Sequence, residues 1–169
     1  MPNGRICTYI AGRKTFFGQT TLMSSITKPE LCNALAIRKA ARHVTGLYDR
    51  HLAEAGLKVT QFSILARLRH LGPRTINELA ADMSMDRTTM GRNVRPLERD
   101  GLVQIATDTR DARRRALSIT EAGRDRLRLA GQGWAAAQAK FDNAYGPKRA
   151  AALRDTLAGL IAIDFDRTP

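Results

Sequence analysis

TINELAADMSMDRTTMGRNVRPLERDG, Thr75–Gly101, holds two short helical signatures across a very brief turn. Thr75 followed by Glu78 is a capping box, in which the threonine side chain accepts from the third helical N–H and the glutamate reaches back to the cap. Ile76, Leu79, Ala80 and Met83 recur at i, i+3, i+4 and i+7, one face of a helix. Ser84-Met85 make the turn and Asp86 caps a second helix. Met90, Val94 and Leu97 form its inward stripe, and Gly101 ends it. Thr88, Arg92, Arg95 and Arg99 fall on the opposite face, next to Arg87 and Thr89. Two helices across a brief turn, the second strongly basic, describe a helix-turn-helix. Pro96 removes one backbone donor, so the second helix either kinks or ends early; the apolar spacing through Leu97 and the terminator Gly101 favour the kink.

Beyond Gly101 the apolar period changes from helical to two. Leu102–Ile105 and Ala116–Ile119 read as paired strands, which makes the intervening stretch a hairpin tip bearing Arg110, Asp111, Arg113, Arg114 and Arg115. A bond donated by the Arg113 guanidinium to the Asp111 carboxylate would restrict an otherwise flexible side chain. Upstream, Thr27 with Pro29 and Glu30 predicts a long helix whose stripe is Leu31, Leu35, Val44, Leu47 and Leu52, ending at Gly56. A second helix is expected from Thr60 to Leu71, stopped by Gly72-Pro73. Downstream, Thr120-Glu121 starts a long helix with Leu127, Ala130, Trp134 and Phe141 on one side, stopping near Gly146-Pro147. A final helix carries Leu153, Leu157, Leu160 and Ile161.

The 169 residues suit one compact domain with terminal extensions, and the net charge of +12 favours a polyanionic partner, nucleic acid above all. A membrane surface would require a basic amphipathic helix with bulky apolar anchors, and the basic residues sit instead in mixed or loop-flanking segments. No apolar run is long enough to span a bilayer, and the first 25 residues lack the continuous apolar centre of a secretory signal, so a cytoplasmic protein is expected. Residues 1–26 read as a flexible tail; their lack of acidic residues is shared with transit peptides, and Met23 is an alternative start. Cys7 and Cys32 are too few for a disulfide framework. No nucleophile with a base, paired carboxylates or phosphate-cradling glycine loop stands at a motif spacing, which argues against an enzyme. An architectural or nonspecific nucleic-acid-binding protein would share the charge without needing a directional base-reading helix.

LKVTQFSILARL, the helix-turn-helix segment and DTRDARRRALSITEAG together resemble the MarR-type winged-helix transcription regulators over most of Leu57–Gly123. Asp111 and Arg113 followed by Ile119-Thr120 are similar to the wing signature of that family, with Ala112 where a second basic residue is frequent. The resemblance implies a mainly α fold with a small β-hairpin wing: a winged helix-turn-helix lobe over residues 57–120, and terminal helices, 27–56 and 121–169, intertwined in a homodimer. It also implies a near-palindromic double-stranded operator and repression relieved by a small molecule or an oxidant, without a cofactor. The arginines of the hairpin tip would then enter a minor groove, where a narrow A·T segment concentrates negative potential.

Three side chains are candidates for sensing. Cys32 lies in the first turns of the first helix, a setting that can make a thiol reactive, and the resemblance places it and Tyr48 near the redox site of a peroxide-responsive branch. A buried structural role is the favoured reading, because free cysteine is among the most buried residue types. Trp134 either lines a ligand pocket or packs in the core, and core is the favoured reading. Cys32 with His43, His51 and His70 has no recognised metal spacing, so no metal site is expected.

Overall fold

The computed structural model describes residues 31–107 and 115–165. The chain divides into two compact units, residues 1–42 and 43–169. Helix α1, Asn33–Leu52, begins in the first unit and ends in the second, where a single 3-10 turn, Ala53–Ala55, closes it. Gly56 ends that turn in the left-handed region, φ 66°, where a β-carbon would be strained. The expected cap at Thr27 lies outside the described residues. Cys32 and its neighbours in the first unit, through Arg42, are exposed.

In the second unit, α2 spans Val59–Leu71, α3 Ile76–Asp82, α4 Arg87–Arg99, α5 Glu121–Tyr145 and α6 Pro147–Ile161, with strands β1, Val103–Thr107, and β2, Arg115–Ile119, between α4 and α5. Helix α2 does not open on Thr60. Its first N–H, that of Val59, donates to Asp49 Oδ1 at 2.8 Å, and the Lys58 N–H donates to Gln61 Oε1 at 2.9 Å. A carboxylate ten residues upstream replaces the local cap that the spacing suggested. The other caps form as read. Glu78 and Thr75 exchange side-chain to backbone bonds. Asp86 accepts from the Thr89 N–H at 2.8 Å, and Thr120 Oγ1 accepts from the Gly123 N–H while donating to the Gly101 carbonyl.

The core is one cluster. Leu52, Ile64, Leu65, Leu68, Leu79, Met90, Leu97 and Leu117 are almost fully buried in it, and the α4 stripe of Met90, Val94 and Leu97 faces inward. Burying side chains of this size contributes about 1.5–3 kcal/mol each. The strands are antiparallel with Val103 opposite Ile119 and Thr107 opposite Arg115, so the hairpin runs further than Ile105, and Arg115 belongs to β2 rather than to the tip. Arg110, Asp111, Arg113 and Arg114 lie outside the described residues. The opposite edge of β2 pairs with the α2–α3 connection: the Arg74 N–H donates to the Leu117 carbonyl at 3.0 Å and the Leu117 N–H to that of Arg74 at 2.7 Å.

Helix α5 crosses the lobe at two close approaches. A β-carbon on Gly123 would collide with the Leu102 carbonyl, and one on Gly133 with the His51 carbonyl, so these two glycines set how near the helix can lie. Gly146, φ 93°, separates α5 from α6. No described helix is long and apolar enough to cross a membrane.

Candidate nucleic-acid interface

Helix α4 is held from behind and open in front. Its inward stripe fixes its rotation, and Asp86 fixes its start by accepting from the Thr89 N–H and from Thr89 Oγ1 at 2.6 Å. These bonds favour the ionised form and hold the Asp86 carboxyl below its ordinary value of 3.8. The helix continues through Pro96 to Arg99, which excludes the early stop. The outward face forms one wall of a shallow groove of about 390 Å³, lined by Ile76, Arg87, Thr88, Gly91, Arg92 and Arg95.

The predicted residues separate by their commitments. Arg92 and Arg95 are exposed, and among the described residues neither pairs with a carboxylate. Thr88 is exposed beside them. Arg87 donates to Asn77 Oδ1 at 3.1 Å, so the start of α3 holds it at the end of the groove. Thr89 points its hydroxyl at Asp86, away from the groove. Arg99 sits at the last turn and bonds Asp100 at 2.9 Å, which raises its pKa further; it does not line the groove. Ile76, Asn77 and Gly91 are additions to the sequence-based set. Gly91 stands at i+3 from Thr88 on the wheel, but without a side chain it gives no chemical signal.

Such a surface suits a DNA major groove, which admits one helix and presents guanine edges to arginine and thymine methyls to small apolar groups. Its scaffold matches known regulators. The description MarR family fits residues 57–114. The transcriptional regulator MosR of M. tuberculosis is 31% identical, over 79% of this chain and 98% of that one, with a TM-score of 0.67. The chain belongs to the MarR family. MosR in complex with DNA is 34% identical, covering 78% of this chain and 99% of that one, with a TM-score of 0.64. The transcriptional repressor NicR of Pseudomonas putida is 31% identical over 87 residues, 52% of this chain and about half, 55%, of the repressor's length. MarR-family proteins are DNA-binding transcription regulators, not enzymes.

Two of the sensing candidates, Cys32 and Trp134, are placed differently from their favoured readings. Cys32 is exposed, not buried: it stands immediately before α1, where its Sγ accepts from the Leu35 N–H at 3.4 Å, in the position of a cap rather than in the apolar stripe. Tyr48 is half-buried and donates to Gln138 Oε1 at 2.7 Å. Burial raises its pKa, the Asp142 carboxylate adds to the effect and Arg154 opposes it. Trp134 is 40% exposed rather than core. Small residues, Gly133 and Ala137, take the closest packing positions of α5, and the indole lies over Phe62 with ring centres 6.1 Å apart. Phe62 also borders a cleft of about 650 Å³ between α2 and α5, with Ala66, Arg69, His70, Leu127, Arg128 and Gly131. Among the described residues no cluster of His, Cys, Asp and Glu is arranged to hold a metal.

Proposed function

We propose that this MarR-family protein is a homodimeric, sequence-specific repressor that reads a near-palindromic operator with α4 in the major groove and the β1–β2 wing beside it. The observation that carries the reading is the pair Arg92 and Arg95, exposed and, among the described residues, without a carboxylate partner, on a helix whose other face is locked in the core. The DNA complex of MosR, at 34% identity, supports DNA as the partner. Two copies of α4 would meet half-sites about 10 bp apart. The dimer reading draws on apolar side chains left exposed in both terminal segments: Leu31, Leu35 and Ile37 in one, Leu157, Ile161, Ile163 and Phe165 in the other. Release would follow binding of a small anionic molecule in the α2–α5 cleft, where Phe62 and Leu127 offer apolar contact and Arg69 offers charge.

Sites are selected from random duplex, and affinity for the selected site is compared with random sequence at fixed salt while sedimentation gives the mass of the complex. The expected result is a dimer on a near-palindrome, tighter by at least about 10³-fold than on random duplex. Equal affinity for all duplexes would instead mark a nonspecific nucleic-acid-binding protein.

A further inference from the structure

Gly91 lies at the edge of the outward face of α4, at i+3 from Thr88 and i−4 from Arg95, and lines the same groove as they do. Interior helical glycine is disfavoured relative to alanine, because it gains backbone freedom in the unfolded chain and adds no contact in the folded one. Nothing among the described residues requires it. Its φ is not positive, and a β-carbon built there meets none of their atoms within 4 Å. The contrast with other glycines is direct: Gly123 and Gly133 would drive a β-carbon into a backbone carbonyl, and Gly101 holds φ at 69°.

The space left by the missing side chain opens into the groove. Ile76, the methyl-bearing Thr88, Arg92 and Arg95 line the same groove. Its floor is the apolar Cα of Gly91. The major groove offers one apolar projection of matching size, the C5 methyl of thymine. We infer that Gly91 is a specificity-determining position: it lets α4 seat directly against a thymine methyl, whose recognition the neighbouring arginines orient by their contacts to adjacent base edges. This inference rests on the major-groove reading of α4 proposed above.

The test is a methyl exchange on the full chain. Sites are selected from random duplex by the wild type, and each thymine of the selected site is replaced in turn by uracil, which lacks only the methyl. The wild type should lose about fourfold in affinity at one thymine of each half-site, the value of one buried methyl-sized group (~0.8 kcal/mol). Gly91→Ala should lose about fivefold or more on the thymine site, the lower end of what an unmatched base pair costs, and should recover on the uracil site, where its own methyl fills the space. Its melting temperature should rise by roughly 2–4 °C, as removal of a helical glycine predicts. A fall in melting temperature would show that the fold needs the glycine. Unchanged affinity and base preference in Gly91→Ala, or a wild type indifferent to every uracil, overturns the inference while leaving the operator reading intact. A wild type that selects no sequence overturns both.

Discussion

Arg92 and Arg95 of α4 carry the same charge as Arg67 of α2 and Arg124, Arg126 and Arg128 of α5 but stand in opposite circumstances. On α2, Arg67 makes a two-point bond to Asp82, at 2.6 and 2.5 Å, which ties α2 to α3. On α5, Arg126 donates to the Ala55 carbonyl at 3.1 Å, Arg124 to that of Ile119 at 3.3 Å, and Arg128 pairs with Asp125 at 2.6 Å. Arg92 and Arg95 have no such engagement among the described residues. Net charge therefore marks the class of partner, whereas the accounting of internal partners marks the surface. An arginine whose donors are already satisfied by the protein must break those bonds before it can meet a phosphate or a base edge.

The comparison fails if the two groups respond alike to truncation. The largest effect is expected from Arg92→Ala or Arg95→Ala, each weakening operator binding by about 1–3 kcal/mol through loss of a guanine contact and relaxing base preference at one position. Melting temperature should hardly change, and binding isotherms on the operator and its single-base variants read the outcome. Arg126→Ala should show the reverse pattern: operator affinity close to wild type, and stability in urea reduced by about 1 kcal/mol as the Ala55 carbonyl loses its donor. Strong loss of DNA binding in Arg126→Ala, with Arg92→Ala unaffected, would move the interface to α5.

The smallest effect concerns acid. Because Asp86 is held below 3.8 in the folded protein, its cap contributes fully above that value and is lost as the pH falls through the lowered one. Asp86→Asn keeps an acceptor at the cap without a charge, so its stability should depend less on pH than the wild type's between pH 5 and pH 2, about the range in which carboxylates titrate. Thermal melts across that range, wild type against variant, give the difference directly. Parallel curves would show that the bond to Thr89 does not depend on ionisation.

Local chemistry made the helix-turn-helix legible. Thr75, Asp86, Thr120 and Gly101 act within four residues of the bonds they organise, so a linear reading finds them. Long-range chemistry escaped it. Asp49 capping Val59 joins residues ten apart, and the bond from Tyr48 to Gln138 joins residues ninety apart. Gly123 and Gly133 reveal their purpose only when another backbone lies against them. For Trp134 and Cys32 residue type alone argues for burial, while in the single chain the packing of α5 and the start of α1 leave both exposed. Gly91 carried no signal because its contribution is an absence.

The paired bonds between Arg74 and Leu117 bear on how a signal could travel. They clamp β2 from the side away from β1, so the α2–α3 connection, the base of the wing and the sheet are stitched into one piece. The wing base cannot swing on its own relative to the reading helix without tearing that seam. In the proposed dimer, a change at the α2–α5 cleft would consequently be felt as a turn of the whole lobe, altering the separation and tilt of its two copies rather than the grip of either one.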